Sequence, residues 1–307
     1  MKNKIKVIYI AGEGRSGSTL LERILGQHPD IFAAGELIHI WERSFIENQL
    51  CSCGKSFSDC DVWQRITENF VSNIKTFEPK EIIKAIENTS RMRHYLLGKN
   101  LKNKDSVFLN DVYYNLYNAI KRYTNKDFII DASKHPVFAH ILTQNTKINL
   151  YVIHLIRDAR GVAYSWNKKK IRPEIIGKIE YMPRYSIFRS AIYWNLIKKV
   201  ALNLKGKTNY IQIRYEDLVK YPEKTLKEIF NFLGVKNNLD NFVDRSNGKV
   251  FVNLQTNHTV SGNPFRFKTG NVELKPDQSW QNSFPFYKKF IVTLLTYPYL
   301  KKFGYIK

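Results

Sequence analysis

The sequence predicts an α/β fold with a central parallel sheet flanked by helices. Three observations carry this expectation. Short apolar, β-branched runs alternate with longer amphipathic stretches along the chain, the pattern of strands joined by crossover helices. The first of these runs ends in a glycine-rich loop that opens directly into a helical pattern. The chain has 307 residues, 43% of them hydrophobic, enough for the core of one large domain; we therefore treat residues 1–307 as a single domain.

The elements follow in order. Residues 5–11, Ile-Lys-Val-Ile-Tyr-Ile-Ala, read as a buried strand ended by glycine. Residues 12–17 form the loop. Residues 18–27 read as a helix with Leu20, Leu21, Ile24 and Leu25 on one face, stopped by His28-Pro29. Residues 61–122 look mostly helical, with apolar stripes at Ile82-Ile83-Ile86 and Val112-Leu116-Ile120. Further strands are expected at 128–131, 151–156 and 209–214, and helices at 158–169, 186–204 and 222–233. The last helix has Pro222 in its first turn and Gly234 at its end. Residues 253–281 are rich in Gly, Asn, Lys and Pro with little periodicity; so long a loop is expected to have a function.

Charge narrows the choice of partner. Lys and Arg total 49 against 27 acidic residues, a net charge of +22. Such a chain attracts polyanions: an anionic cosubstrate, an anionic glycan, a membrane surface or nucleic acid. Part of the excess is general composition, since Asn, Ile and Lys are all abundant. No run of about 18 apolar residues is present and no secretory leader is evident, so the cytoplasm is the expected location. The sequence carries no sign of an oligomeric state.

A loop between a buried strand and a helix N-terminus is a ready anion site, because unpaired N–H groups and the helix dipole point outward there. Gly14 and Gly17 permit close approach, Ser16, Ser18 and Thr19 add hydroxyls, and Arg15 adds a planar cation. A nucleotide kinase or hydrolase would carry G-x-x-x-x-G-K-[ST]. Gly12 and Gly17 have that spacing, but Ser18 stands where the lysine would be, so this rival is the weaker reading. A nucleic-acid-binding protein is the second rival; no helix-turn-helix or zinc-finger spacing supports it.

Gly14-Arg15-Ser16-Gly17-Ser18-Thr19-Leu20-Leu21 resembles the 5′-phosphosulfate loop of sulfotransferases, in the form seen in tyrosylprotein, some carbohydrate and many bacterial members. Residues 154–165, from His154 to Ser165, resemble the family's 3′-phosphate motif. Asp131-Ala132-Ser133-Lys134-His135-Pro136 is similar to its lysine segment, and Arg214-Tyr215-Glu216-Asp217-Leu218 with Pro222 to its late strand and helix. The segments occur in family order across about residues 5–235. The resemblance implies a P-loop-like central parallel sheet, with the 61–122 helices as an insertion shaping the acceptor site together with the approach at Ile171-Arg172-Pro173. It also implies transfer of a sulfuryl group from 3′-phosphoadenosine 5′-phosphosulfate to an acceptor hydroxyl (carbohydrate, lipid, tyrosine or small molecule), with no metal required.

The same resemblance distributes the roles. Gly14, Arg15, Ser16, Gly17, Ser18 and Thr19 are expected to bind the 5′-phosphosulfate, with Arg15 also catalytic. Lys134 stabilises charge at the sulfuryl and bridging oxygens. Arg157 and Ser165 grip the 3′-phosphate. Glu36 matches the catalytic glutamate of tyrosylprotein sulfotransferases, with His39 as the alternative base. Tyr215 is expected near the adenine. Residues 261–266 resemble a C-terminal loop of bacterial relatives, so Arg266 is expected to close over the 3′-phosphate, anchored by Phe267, Asp277 and Trp280. Retention of Arg15, Lys134, Arg157, Ser165 and Glu36 argues against a degenerate member.

The three cysteines, Cys51, Cys53 and Cys60, form one cluster similar to a Cys-x-Cys-Gly segment of some bacterial sulfotransferases. With a histidine such as His39 they would total four ligands for zinc. The spacing is not a usual zinc pattern, and a structural loop with reduced thiols or one disulfide is the expected state.

Overall fold

The computed structural model describes residues 4–74, 77–98, 101–175, 177, 179–236, 243–246 and 248–307. The central sheet has five parallel strands: β1 (Ile5–Ala11), β2 (Ile31–Gly35), β3 (Phe128–Lys134), β4 (Ile148–Ile156) and β5 (Asn209–Arg214), in the order β2-β3-β1-β4-β5. The α/β expectation holds, and β1 is buried on both faces as the sequence implied. Successive side chains of β1 feed two cores. Val7, Tyr9 and Ala11 join Trp41, Trp63 and Tyr113 on one face, while Ile8 and Ile10 join Leu21, Ile24 and Phe230 on the other.

Helix α1 (Ser18–Leu25) follows β1. The stretch over 61–122 resolves into α2 (Asp61–Val71), α3 (Pro79–Thr89), α4 (Met92–Leu96) and α5 (Lys104–Thr124); residues 75–76 and 99–100 of that prediction lie outside the described residues. Helix α5 starts at a capping box, with the Asn103 side chain accepting from the Ser106 N–H at 2.9 Å and the Ser106 hydroxyl accepting from the Asn103 N–H. Helix α6 (Pro136–Leu142) links β3 to β4, and α7 (Ala159–Asn167) leaves β4 behind its N-cap Asp158. Helices α8 (Ile187–Leu202) and α10 (Pro222–Leu233) complete the expected set, with Gly234 left-handed at the end of α10, and a short helix that the sequence did not suggest, α9 (Tyr215–Lys220), stands between β5 and α10.

Three features depart from the reading of the sequence. Strand β2 was not expected: Ile-Phe-Ala-Ala-Gly carries little strand signature, and it forms because β3 offers it an edge. The segment 253–281 is not one loop. It contains the end of β7 (Lys249–Leu254), a 3₁₀ turn at Pro264–Phe267, β8 (Gly270–Glu273) and α11 (Ser279–Ser283), and β7 pairs with both β6 (Val243–Ser246) and β8 in a small antiparallel sheet. The chain ends in α12 (Phe286–Lys302), packed on α7 and α8. No helix among the described residues is long and apolar enough to cross a membrane.

The topology fixes where a ligand can sit. From β1 the chain crosses to β2 on one side, whereas β4 lies on the other side of β1. A crevice at the carboxyl ends of parallel strands belongs at such a switch point. Arg15 follows β1, Lys134 ends β3 and Arg157 follows β4.

Candidate active site

A cleft of about 480 Å³ opens at these strand ends and is lined by Arg15, Glu36, Lys134, Arg157, Ser165 and Tyr215 among others. It begins at the glycine loop. Gly17 is left-handed, with φ 93°, and a Cβ there would stand 2.3 Å from the Tyr215 ring. No other residue can both turn the chain and admit that ring. Helix α1 then starts without a side-chain cap, and Gly17, Ser18 and Thr19 line the cleft. The first N–H groups of the helix thus face the ligand space.

Arg15 is itself left-handed, with φ 73°. Its guanidinium lies over Trp166 at 4.8 Å, and Nη1 donates to Met182 Sδ at 3.1 Å. Its Nε and Nη2 are buried with no hydrogen-bond partner among the described residues. Burial lowers its pKa, although Glu36 opposes this. Buried guanidinium donors left open call for an acceptor from outside the chain.

Arg157 is held from four sides. Its Nη1 donates to the Arg15 carbonyl at 2.9 Å and its Nη2 to Asp277 at 3.0 Å. Its guanidinium stacks 4.6 Å from the Tyr215 ring centre, and its own carbonyl accepts from Trp194 Nε1 at 3.1 Å. Arg15 and Arg157 therefore open onto the same cleft. Asp158 does not pair with Arg157; it binds Arg160 and caps α7.

Lys134 ends β3 with φ 67°, and its carbonyl accepts the Gly12 N–H at 3.0 Å. Strained non-glycine residues cluster where the surrounding structure imposes a function, and two of them, Arg15 and Lys134, flank this cleft. The Lys134 ammonium forms an ion pair with Glu36. A buried network sets the pair's position: Asp131 accepts from Tyr117 at 2.7 Å and from the Ser133 N–H at 2.9 Å, and the Ser133 hydroxyl accepts from the Ile38 N–H at 2.9 Å. Burial raises Asp131 to about 6, against these hydrogen bonds.

Glu36 follows β2, with its N–H donating to the Val260 carbonyl at 3.0 Å. Burial pushes its carboxyl up, but Lys134, His39 and Arg43 outweigh burial and leave it at about 2. His39 lies 4.0 Å from Glu36 in the same cleft, and burial together with Arg43 holds its imidazole low.

Behind the pair, Glu22 on α1 accepts the Gly35 N–H at 2.7 Å, and burial raises its carboxyl to about 8. A raised carboxyl favours the folded state when protonated. Its contribution is full below the unfolded value near 4.5 and is lost as pH climbs toward 8. Glu22→Gln keeps an oxygen for Gly35 and removes that loss. Its thermal midpoint should gain on the wild type as pH goes from 5 to 8; a difference that stays flat with pH would rule this out.

Three expectations are corrected. Arg266 does not reach the cleft: it is 1% exposed, and its guanidinium donates to the Leu50 carbonyl at 2.7 Å, the Thr259 carbonyl at 2.9 Å and Ser52 Oγ at 3.1 Å. The 3₁₀ turn at 264–267 points it inward, where it fastens the C-terminal segment to the cysteine loop. The Ser16 hydroxyl is fully buried and has no partner among the described residues, so the side chain, though not the backbone N–H of the loop, lies behind the cleft rather than in it. Asp277 is the ion-pair partner of Arg157 and lines the cleft, beyond the packing role expected of it. Trp280 does pack, against Gly161 and Arg160, and Phe267 lies against Arg266.

Several cleft residues carry no signal in the sequence. Trp166 and Lys170 sit at and beyond the end of α7, and Tyr185 stacks on Trp166 at 4.3 Å. Lys170 is one of three consecutive lysines with nothing in the pattern to single it out. Burial and the charge of Arg15 lower its pKa.

A parallel α/β sheet with a cation-walled cleft at its switch point, a lysine and a carboxylate inside it, defines an anion-handling group-transfer protein. The chain belongs to the sulfotransferase family, whose defining pattern matches residues 8–238, and it is an enzyme of that class. It is similar to a putative protein-tyrosine sulfotransferase of Caenorhabditis briggsae, 26% identical over 241 residues that span 77% of this chain and 68% of that protein. It is also similar to carbohydrate sulfotransferase 1 of Rattus norvegicus, 31% identical over 118 residues, 34% of this chain and 27% of that protein. Among solved structures, the sulfotransferase domain from the Synechococcus olefin synthase is 21% identical with a TM-score of 0.49, covering 97% of this chain and 96% of that one.

Proposed function

We propose that the protein transfers a sulfuryl group from 3′-phosphoadenosine 5′-phosphosulfate to an acceptor hydroxyl. The observation that carries this reading is the meeting of two cationic βα junctions in one cleft, with the Lys134–Glu36 pair beside them. The open donors of Arg15 and the uncapped start of α1 fit a 5′-phosphosulfate. Arg157 and Ser165 fit the 3′-phosphate, and Tyr215, stacked on Arg157, fits the adenine side.

When bound, the donor supplies an activated sulfuryl group on a phosphate leaving group. The bond from sulfur to the bridging oxygen breaks, a bond from sulfur to the acceptor oxygen forms, and the acceptor proton passes to Glu36. Arg15 and Lys134 neutralise charge gathering on the bridging oxygen and the sulfuryl group, a task that Mg²⁺ performs in phosphoryl transfer. A carboxylate held at about 2 by Lys134 is a weak base. An anion in the cleft draws Lys134 away from Glu36, and burial then raises Glu36 toward the range of a working base. The ion pair thus couples arming of the base to donor binding.

The acceptor we favour is a sugar or tyrosine hydroxyl, in line with what the two relatives are named for. The +22 charge favours an anionic glycan or a substrate at a membrane surface.

The test is calorimetric titration with 3′,5′-adenosine bisphosphate beside ATP with Mg²⁺. The bisphosphate is expected to bind without added metal and more tightly than ATP. Arg157→Ala should weaken it at least tenfold, about 1.4 kcal/mol or more. Unchanged affinity in that variant, or preference for ATP with Mg²⁺, sinks the reading.

A further inference from the structure

Away from the cleft, the cysteine loop and the C-terminal segment bring four metal-ligating atoms together. Cys60 Sγ lies 3.6 Å from Cys51 Sγ and 3.7 Å from Cys53 Sγ. His258 Nδ1 lies 3.2 Å from Cys60 Sγ and 3.9 Å from Cys51 Sγ. All four ligand atoms fall within 4.8 Å of one another. Ligands of a tetrahedral zinc ion, at about 2.3 Å for sulfur and 2.0–2.1 Å for nitrogen, stand roughly 3.5–3.8 Å apart. A disulfide needs about 2.05 Å between two sulfurs and would leave the third cysteine and the histidine idle; all three cysteines are free.

We propose that Cys51, Cys53, Cys60 and His258 form a structural Cys₃His zinc site. The sequence pointed to His39 as a fourth ligand, but His39 faces the cleft, and the true fourth ligand arrives from 198 residues beyond Cys60. Binding releases the thiol protons to solvent and leaves a centre of net charge −1. The chain provides for that charge: Arg266, a buried cation, donates to Leu50 and Ser52 on either side of Cys51. The knuckle is shaped for it as well. Gly54 is left-handed, with φ 91°, and its N–H returns to the Cys51 carbonyl at 2.9 Å. No fifth position is needed, since a closed four-ligand set serves structure rather than chemistry.

The site's place in the fold gives it a task. Two residues after His258, Val260 pairs with Gly35 and accepts the Glu36 N–H, and Ser52 bonds Thr259. Zinc at this point ties the C-terminal segment to the strand end that carries Glu36, and with it Gly262 and Asn263 in the cleft wall.

Elemental analysis of the full chain, purified without chelator, is expected to find about one zinc per chain. Replacement by Co²⁺ should give the d–d bands of a tetrahedral ion with thiolate charge transfer. Cys60→Ser should lose most of the metal and lower the thermal midpoint. Because that variant could fail to fold, His258→Cys provides an independent check: it should retain one equivalent, with stronger thiolate charge transfer in the cobalt form. Less than a tenth of an equivalent in the wild type, with three titratable thiols or a disulfide by mass, overturns the proposal, as does an octahedral cobalt spectrum. Bisphosphate affinity is read separately, so failure here leaves the sulfuryl-transfer reading intact.

Discussion

Lys134→Met is expected to lower kcat by about 10²–10³-fold, the loss seen when one charge-stabilising donor is removed from a preorganised site. Bisphosphate affinity should fall less than tenfold, because Arg15, the start of α1 and Arg157 still hold both phosphates. The substitution has a second signature. Lys134 is the main opponent of burial at Glu36, so without it the Glu36 carboxyl rises, with only His39 and Arg43 left to oppose burial. The acid limb of kcat/KM should therefore move to higher pH in the variant. A lysine that only stabilised the fold would lower the thermal midpoint without moving that limb. A kcat within threefold of wild type would remove Lys134 from the chemistry.

The second large effect is expected at Glu36. Glu36→Gln keeps the shape of the side chain and removes the base, so kcat should drop by about 10²–10⁴-fold. Bisphosphate binding should stay within twofold or tighten slightly, since Lys134 is freed from its partner. Measured beside it, His39→Ala tests the other base. If His39→Ala abolishes turnover while Glu36→Gln preserves it, the two roles must be exchanged. The coupling argued above adds a condition: in wild-type enzyme the carboxyl of Glu36, followed by infrared difference spectroscopy, should titrate higher with bisphosphate bound than without it.

The legible residues share one property. Arg15, Gly17, Lys134, Arg157 and Ser165 each lie within a few residues of a strand end, or on the helix that follows it. Their positions are set by the local chain, and their spacing shows in the sequence. Glu36 was legible only through its family resemblance, because β2, the strand before it, has no strong pattern and forms by pairing with β3. Arg266 was misread for a related reason. A turn such as Ser-Gly-Asn-Pro predicts a bend, but whether the following arginine faces ligand or core depends on what the bend packs against. Here that is a carbonyl-rich loop more than 200 residues upstream.

The sequence alone determined the strand–loop–helix units, the two cationic βα junctions and the absence of the kinase lysine, because each is written in neighbouring residues and in backbone geometry that only certain side chains permit. Tertiary structure alone decided that Asp277 holds Arg157 across 120 residues, that Lys134 pairs with Glu36, and that His258 lies against the cysteine cluster. Those pairings arise from the return of the C-terminal segment over the sheet, and the free energy of such long-range contacts leaves no periodic trace in the residues that make them.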